Sequence, residues 1–328
     1  MKFYPLTFDY AGMFRSYLWG GQRLAKLVNA PANEPVAELW AVSDRPEEGI
    51  ESTVANGEYA GQTLVSLMRQ YPTELLGFTP ANNRFPILIK IIDAQQPLSI
   101  QVHPPKAVAE QFHGTPKAEA WFVLPGTQPS AELFAGLAPQ VTHDQFQVAL
   151  AKGEVEPLLH KLPAAVGTML NIPNGRVHGI GAGNLILEVQ ENSNTTYRVF
   201  DYNRVDAKTG QPRELHIDQA LASINFADHE PQPELPVPLA DEQGTRVQLL
   251  ATEHFSLEHM TASTTVRDHT HGLATIVANT SSTPTTVTAN GVAAELPEYG
   301  MALVPAGIDE FTVTGNALDY VLIRPSKA

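Results

Sequence analysis

Between two apolar runs the chain reads PLSIQVHPP, which sets Gln101 and His103 two residues apart on a segment of strand composition. Strand side chains alternate, so residues two apart share a face. Ser99, Gln101 and His103 therefore point one way, and Ile100 and Val102 the other. By the same rule Lys117, Glu119 and Trp121 share a face in KAEAW, and Ile186, Glu188 and Gln190 in LILEVQ. Thr196, Arg198 and Phe200 share one in TTYRVF. Imidazole nitrogen and carboxylate oxygen suit zinc or another divalent ion. PNGRVHGIG offers a third donor, His178, where a turn meets a strand. His103, Glu119 and His178, with an amide oxygen from Gln101 and water completing the shell, would make an open and hence catalytic metal site. The four are scattered along the chain, and spacing alone favours a plainer reading: satisfied polar groups on a half-exposed sheet.

The cations admit two readings as well. Lys90 lies within FPILIKIID, and a lysine in such a strand is rarely buried without a partner. It either snorkels from an edge or binds an anion at the mouth of a barrel. Lys117 precedes Glu119 by two, and Arg198 and Arg204 frame RVFDYNR. Singly, each reads as a surface charge. Converging, they would let a chain of formal charge −14 hold a phosphate. That acidity makes a poor partner for nucleic acid or an anionic membrane.

The elements that must position these groups are mostly strands. Proline and glycine punctuate short apolar runs along the whole chain of 328 residues, the pattern of a mainly β protein. The strands carry polar groups and bulky apolar ones, such as Trp121 and Ile186, on one face, which suits a barrel interior that holds a ligand. Helical spacing is confined to GQTLVSLMRQYPTELLG, THDQFQVALAKGEVEPLLHKL and HIDQALASINF, the second starting at a Thr142–Gln145 capping box. A proline-rich acidic stretch over 227–244 reads as a linker. It predicts a domain over 1–236 with helical insertions and a smaller β domain over 237–328. The absence of cysteine excludes disulfides and thiolate metal sites. No signal peptide and no apolar run near the roughly 20 residues of a membrane helix is read, so a cytoplasmic protein is expected. Trp40 and Trp121 read as core, and His113, His143, His160 and His216 as surface or capping residues. His269 and His271 read as an exposed loop pair, and Glu38 as a support for the site or a surface carboxylate.

WGG at Trp19, ELWAVSD, FPILIKIIDAQQPLSIQVHP, KAEAWFVL and GRVHGIGAGNLILEVQENSNTTYRVFDYNR together resemble the class I mannose-6-phosphate isomerases, in their short bacterial form, over the first two-thirds of the chain. The resemblance implies two cupin (jelly-roll) barrels and an aldose–ketose isomerase with one Zn2+ per chain. It implies Gln101, His103, Glu119 and His178 as metal ligands. Lys90, Ser99, Lys117 and Arg204 become contacts to a sugar phosphate. Arg198 is set near the reacting carbons, and Glu188 in the same cavity. Two departures, Pro105-Lys106 after the Q-V-H-P motif and Pro116 ahead of Lys117, touch no proposed ligand. The implied reaction interconverts mannose 6-phosphate and fructose 6-phosphate through an enediolate, with Glu188 as the preferred base. The competing readings are an isomerase for another sugar or sugar phosphate, and a metal-containing sugar-binding module. Monomer and homodimer stay open.

Overall fold

A computed structural model describes residues 2–205 and 210–327. The fold is mainly β and cupin-like. It divides into two compact units: Met1–Met13, Trp40–Ile89 and Glu234–Ala328 in one, Phe14–Leu39 and Lys90–Pro233 in the other. The division is not the linear one expected at 236/237, because early segments join the late strands.

The Phe14–Leu39/Lys90–Pro233 unit, called the cavity unit below, carries the candidate chemistry. A five-stranded antiparallel sheet runs in the order Leu159–Pro163, Glu132–Leu137, His178–Ile180, Ile100–Val102, Tyr197–Phe200. A six-stranded sheet runs Met169–Ile172, Glu119–Val123, Asn184–Glu191, Ile87–Ala94, Glu38–Val42, Phe14–Arg15, and the division of units falls within two of its strands. Alternation decides what each face meets. Leu133, Ala135 and Ile180 of the first sheet share one buried cluster with Ile92, Trp121, Leu170 and Ile186 of the second. The opposite face of the five-stranded sheet gives Ile100, Val102, Phe134, Tyr197 and Val199 to a second cluster, closed by the helices His143–Lys152 and Ile217–Ser223. The first of these helices starts on the predicted capping box, ends on Gly153 in the left-handed region, and buries Phe146. Burying a phenyl ring of that kind contributes about 2–3 kcal/mol.

Phe200 departs from the simple alternation. Strand pairing sets Tyr197 opposite Val102, Arg198 opposite Gln101, and then Phe200 opposite Ile100. The extra residue is a bulge, and it turns Phe200 away from the Arg198 face to pack against the helix-side cluster.

The other unit, called the closed unit below, holds a seven-stranded and a four-stranded sheet. The seven run Leu6–Thr7, Met301–Val304, Thr275–Asn279, Leu318–Pro325, Phe255–Ala262, Thr245–Ala251, Val237–Leu239. The four run Thr265–His269, Glu310–Gly315, Thr285–Ala289, Val292–Leu296. The helices Leu64–Gln70 and Pro72–Leu76, expected on the N-terminal barrel, belong here. The amides of Ala274 and Ala306 donate to the carbonyls of Leu76 and Leu75. At Gly77, with φ at 85°, a Cβ would stand 1.9 Å from the Gly272 carbonyl oxygen, so that approach requires glycine. Among the described residues no helix is long and apolar enough to cross a membrane.

Candidate active site

Register brings the sequence-predicted residues together. On the five-stranded sheet Gln101 pairs with His178 on one side and with Arg198 on the other, so three neighbouring strands present them side by side. On the six-stranded sheet Trp121 pairs with Glu188, and Glu119 lies two residues before it. His103, Glu119 and His178 are fully buried, and one donor atom from each lies within 4.8 Å of the others.

Backbone carbonyls fix both imidazoles. His103 Nδ1 meets the Thr195 carbonyl at 2.9 Å and His178 Nδ1 the Arg176 carbonyl at 2.8 Å. A carbonyl only accepts, so each Nδ1 carries the proton and each Nε2 presents a lone pair. Those lone pairs face carboxylate oxygens: His103 Nε2 lies 3.1 Å from Glu119 Oε2, and His178 Nε2 lies 3.4 Å from Glu119 Oε1. Burial, reinforced by the Lys117 ammonium, pushes His103 down to about 4, and burial also lowers His178, so both rings are neutral at pH 7. Burial opposes the charge on Glu119, yet Lys117, with smaller contributions from His103 and His178, outweighs it and holds that carboxyl well below the usual range. Neutral acceptors facing a carboxylate repel unless a cation lies among them. Lys117 Nζ supplies part of that charge, 2.7 Å from Glu119 Oε2 and 3.2 Å from His103 Nε2. Glu119 Oε1 is buried with no hydrogen-bond partner. The donor set and its pinned Nδ1 protons fit a divalent metal. Gln101 is placed beside it with Nε2 3.3 Å from His178 Nε2 and Oε1 accepting from Ser99 Oγ, so its carboxamide would have to turn over to offer oxygen.

Next to this cluster lies a cavity of about 210 Å3. Gln101 and Lys117, which touch the histidines and Glu119, line it, as do Lys90, Ser99, Glu188 and Arg198. Lys90 is not an edge-facing lysine. It is 4% exposed and bonds Glu188 Oε1 at 3.0 Å, with Glu38 at 3.8 Å. Burial works against its charge, but Glu188 and Glu38 overcome it and raise its pKa. The second Glu188 oxygen accepts from Trp121 Nε1 at 3.2 Å. Arg198 bonds the Glu214 carbonyl through Nη1, while its Nε is buried with no hydrogen-bond partner. Burial and then the neighbouring Arg213 guanidinium lower its pKa.

Arg204, expected to contact substrate, is not among the lining residues. Its guanidinium is spent on the Asp201 carboxylate and on the carbonyls of Asp201 and Pro97. Sequence reasoning missed Tyr17, Asn194 and Arg213 among the polar lining residues, while Thr196, set beside Arg198 by alternation, lines the cavity too. Trp19, in the quoted WGG, also lines it, and stacks with Tyr17 at 5.5 Å. Burial, with Glu38 nearby, raises Tyr17 to about 12. His269 and His271 border an open hollow in the closed unit, and the one three-ligand group found among the described residues is His103, Glu119 and His178.

Comparison with known proteins agrees with this geometry. Residues 8–122 match the family model described as the catalytic domain of type I phosphomannose isomerase. The Bacillus subtilis protein named "Probable mannose-6-phosphate isomerase GmuF" is 30% identical over 321 residues, 95% of this chain and 97% of that protein. Mannose-6-phosphate isomerase ManA of the same organism is 36% identical over 67% of this chain and 68% of its own length. The crystal structure of mannose 6-phosphate isomerase from Bacillus subtilis superposes with a TM-score of 0.85 at 26% identity, covering 98% of both chains.

Proposed function

This chain belongs to the type I mannose-6-phosphate isomerases, and on that premise we propose that it interconverts mannose 6-phosphate and fructose 6-phosphate with one zinc ion per chain. The observation that carries the reading is the convergence of two imidazoles, pinned through Nδ1, on a buried carboxylate beside a cation-lined cavity. His103, Glu119 and His178 would hold the metal, with Gln101 as a fourth ligand once its amide turns over. When bound, zinc supplies positive charge that polarises and orients sugar oxygens.

The chain's own residues account for the rest of the proposal. Isomerisation moves a hydrogen between C1 and C2 of the open-chain sugar, which takes a base and a counter-charge for the developing enediolate. Glu188 is the proposed base, its carboxylate oriented by Lys90 and the Trp121 indole. Arg198 is the proposed counter-charge. A guanidinium stays protonated, and no carboxylate among the described residues forms an ion pair with it. Lys90, Ser99 and Lys117 are proposed to hold the substrate's oxygens along the cavity wall. Arg204 is proposed to act on substrate only through the shared Asp201.

The test is isomerisation of mannose 6-phosphate by metal-stripped protein before and after zinc is restored, with glucose 6-phosphate run alongside. Activity that disappears and returns with zinc is expected. Full turnover without metal would sink the metal role, and preference for glucose 6-phosphate would replace the substrate.

A further inference from the structure

We propose that each histidine of the metal cluster is aimed by a clamp on the carbonyl it bonds, Gln190 with Ser193 for His103 and the Arg176–Asp228 pair for His178, and that these clamps set how tightly the chain holds its metal. This inference rests on the isomerase reading and adds positioning residues to it. A carbonyl orients a ring only as firmly as it is itself held. Neither carbonyl belongs to a strand: Thr195 precedes Tyr197–Phe200, and Arg176 precedes His178–Ile180. Side chains hold them instead. Gln190 is fully buried, and its amide donates to two carbonyls of the turn, those of Glu191 and Ser193. Its own Oε1 is buried with no hydrogen-bond partner, a cost that a space-filling leucine would not carry. Ser193 is buried as well. Its Oγ accepts from the Thr195 amide at 3.3 Å and lies 2.6 Å from the Thr115 hydroxyl. The Thr115 amide donates to Thr195 Oγ1 at 2.9 Å. Thr195 is thus held at its amide and at its side chain, with its carbonyl on His103 Nδ1.

The second clamp uses charge. The Arg176 guanidinium forks onto Asp228, Nε to Oδ2 at 2.7 Å and Nη2 to Oδ1 at 2.9 Å, and its Nη1 donates to the Asn171 carbonyl at 2.6 Å. A bidentate charge-assisted pair fixes direction as well as distance. The Arg176 amide closes a turn on the Pro173 carbonyl at 3.1 Å. Asp228 stands in the stretch whose composition reads as a linker, yet it is anchored. The Leu137 amide donates to its carbonyl at 2.9 Å, and its own amide donates to the Asn225 carbonyl at 3.1 Å. With both ends fixed, the Arg176 carbonyl stays on His178 Nδ1. Each Nε2 lone pair is thereby aimed at the cluster before a metal arrives, so binding need not order the rings. None of the four clamp residues lines the cavity, so their effect on the reaction runs through the metal.

The test reads zinc affinity by competition with a chelator, beside the thermal midpoint of the metal-free protein. Uptake by the unaltered protein is measured first, and if it takes up no zinc the metal reading itself fails and the proposal with it. Ser193→Ala and Gln190→Met loosen one clamp, Asp228→Asn and Arg176→Met the other. Each is expected to weaken zinc binding by about 10- to 100-fold. Activity lost at limiting zinc should return when zinc is in excess. Proton magnetic resonance assigns the loss to a ring: Ser193→Ala should move the His103 Nδ1 proton signal and leave that of His178, and Asp228→Asn the reverse. A merely structural role would lower the metal-free midpoint and leave zinc affinity where it was. A folded variant that binds zinc as tightly as the unaltered protein overturns the clamp it tests, and equal movement of both ring signals in either variant overturns the assignment of one clamp to one ring.

Discussion

The two β units bury charge in opposite ways. In the closed unit, Arg246 bonds Asp241 at 2.7 Å, Asp268 at 3.0 Å and Glu258 at 3.1 Å. Arg324 adds a second cation to Glu258, and the Tyr320 hydroxyl donates to Asp268. Apart from Arg324 Nε, this network meets its own needs. In the cavity unit the groups are no less buried, but they do not close on one another. Two imidazole lone pairs face a carboxylate, one of whose oxygens has no hydrogen-bond partner, and among the described residues Arg198 forms no ion pair with a carboxylate. A satisfied buried network specifies and stiffens a fold. An unsatisfied one costs stability, and is kept where something else completes it. The same sheet architecture thus serves as a closed block in one unit and as an open site in the other.

The largest expected effect breaks the open site at its centre. His103→Ala or Glu119→Gln should abolish bound metal and lower kcat by about a thousandfold or more. Metal analysis and steady-state rates check it, with circular dichroism to show that the fold survives. Arg198→Ala sharpens the contrast between holding metal and using it. It should lower kcat by about 100- to 1,000-fold with metal content intact. A variant that loses metal in proportion to activity would contradict that role. Arg246→Met tests the closed network. It leaves Asp241 without its cation and removes one from Asp268 and Glu258, and should cost about 3 kcal/mol in unfolding free energy while kcat per folded molecule is unchanged. A fall in kcat without loss of stability would erase the difference between the units.

The smallest effect is in pH. Burial opposes the charge on Asp241, but Arg246 and the Gln243 amide outweigh it and lower its pKa. A carboxyl depressed in the folded state stabilises above its unfolded pKa, near 3.9, and that contribution fades as pH falls through the folded value. Unfolding midpoints between pH 6 and pH 3 should therefore drop less steeply in Asp241→Asn than in the unaltered protein.

Much of the site was legible in sequence because period-two alternation is a strong signal. It set Gln101 and His103 on the face opposite Ile100 and Val102, and the helix-side cluster contains that apolar pair. It could not foresee the bulge that turns Phe200 outward, since one extra residue leaves no mark on composition. Arg213 was missed for a related reason. It sits between strand and helix, where no periodicity says which way a side chain points. Arg204 looked like the better candidate from its place in RVFDYNR, yet both arginines bond Asp201 and only Arg213 lines the cavity. The helices over 64–76 were recognised as helices, but their backbone partners lie some two hundred residues later, beyond the reach of any local pattern.

The short strand Ile100–Val102 has an evolutionary consequence. It is hydrogen-bonded between the strands of His178 and Arg198, and its register decides what all three present. Substitution can retune this row one side chain at a time. A single inserted residue upstream that slid the strand by one place would instead send Ile100 and Val102 into the cavity and Gln101 into the apolar layer beneath the helices. Descendants of this chain can therefore drift in sequence around PLSIQVHPP far more freely than they can drift in length.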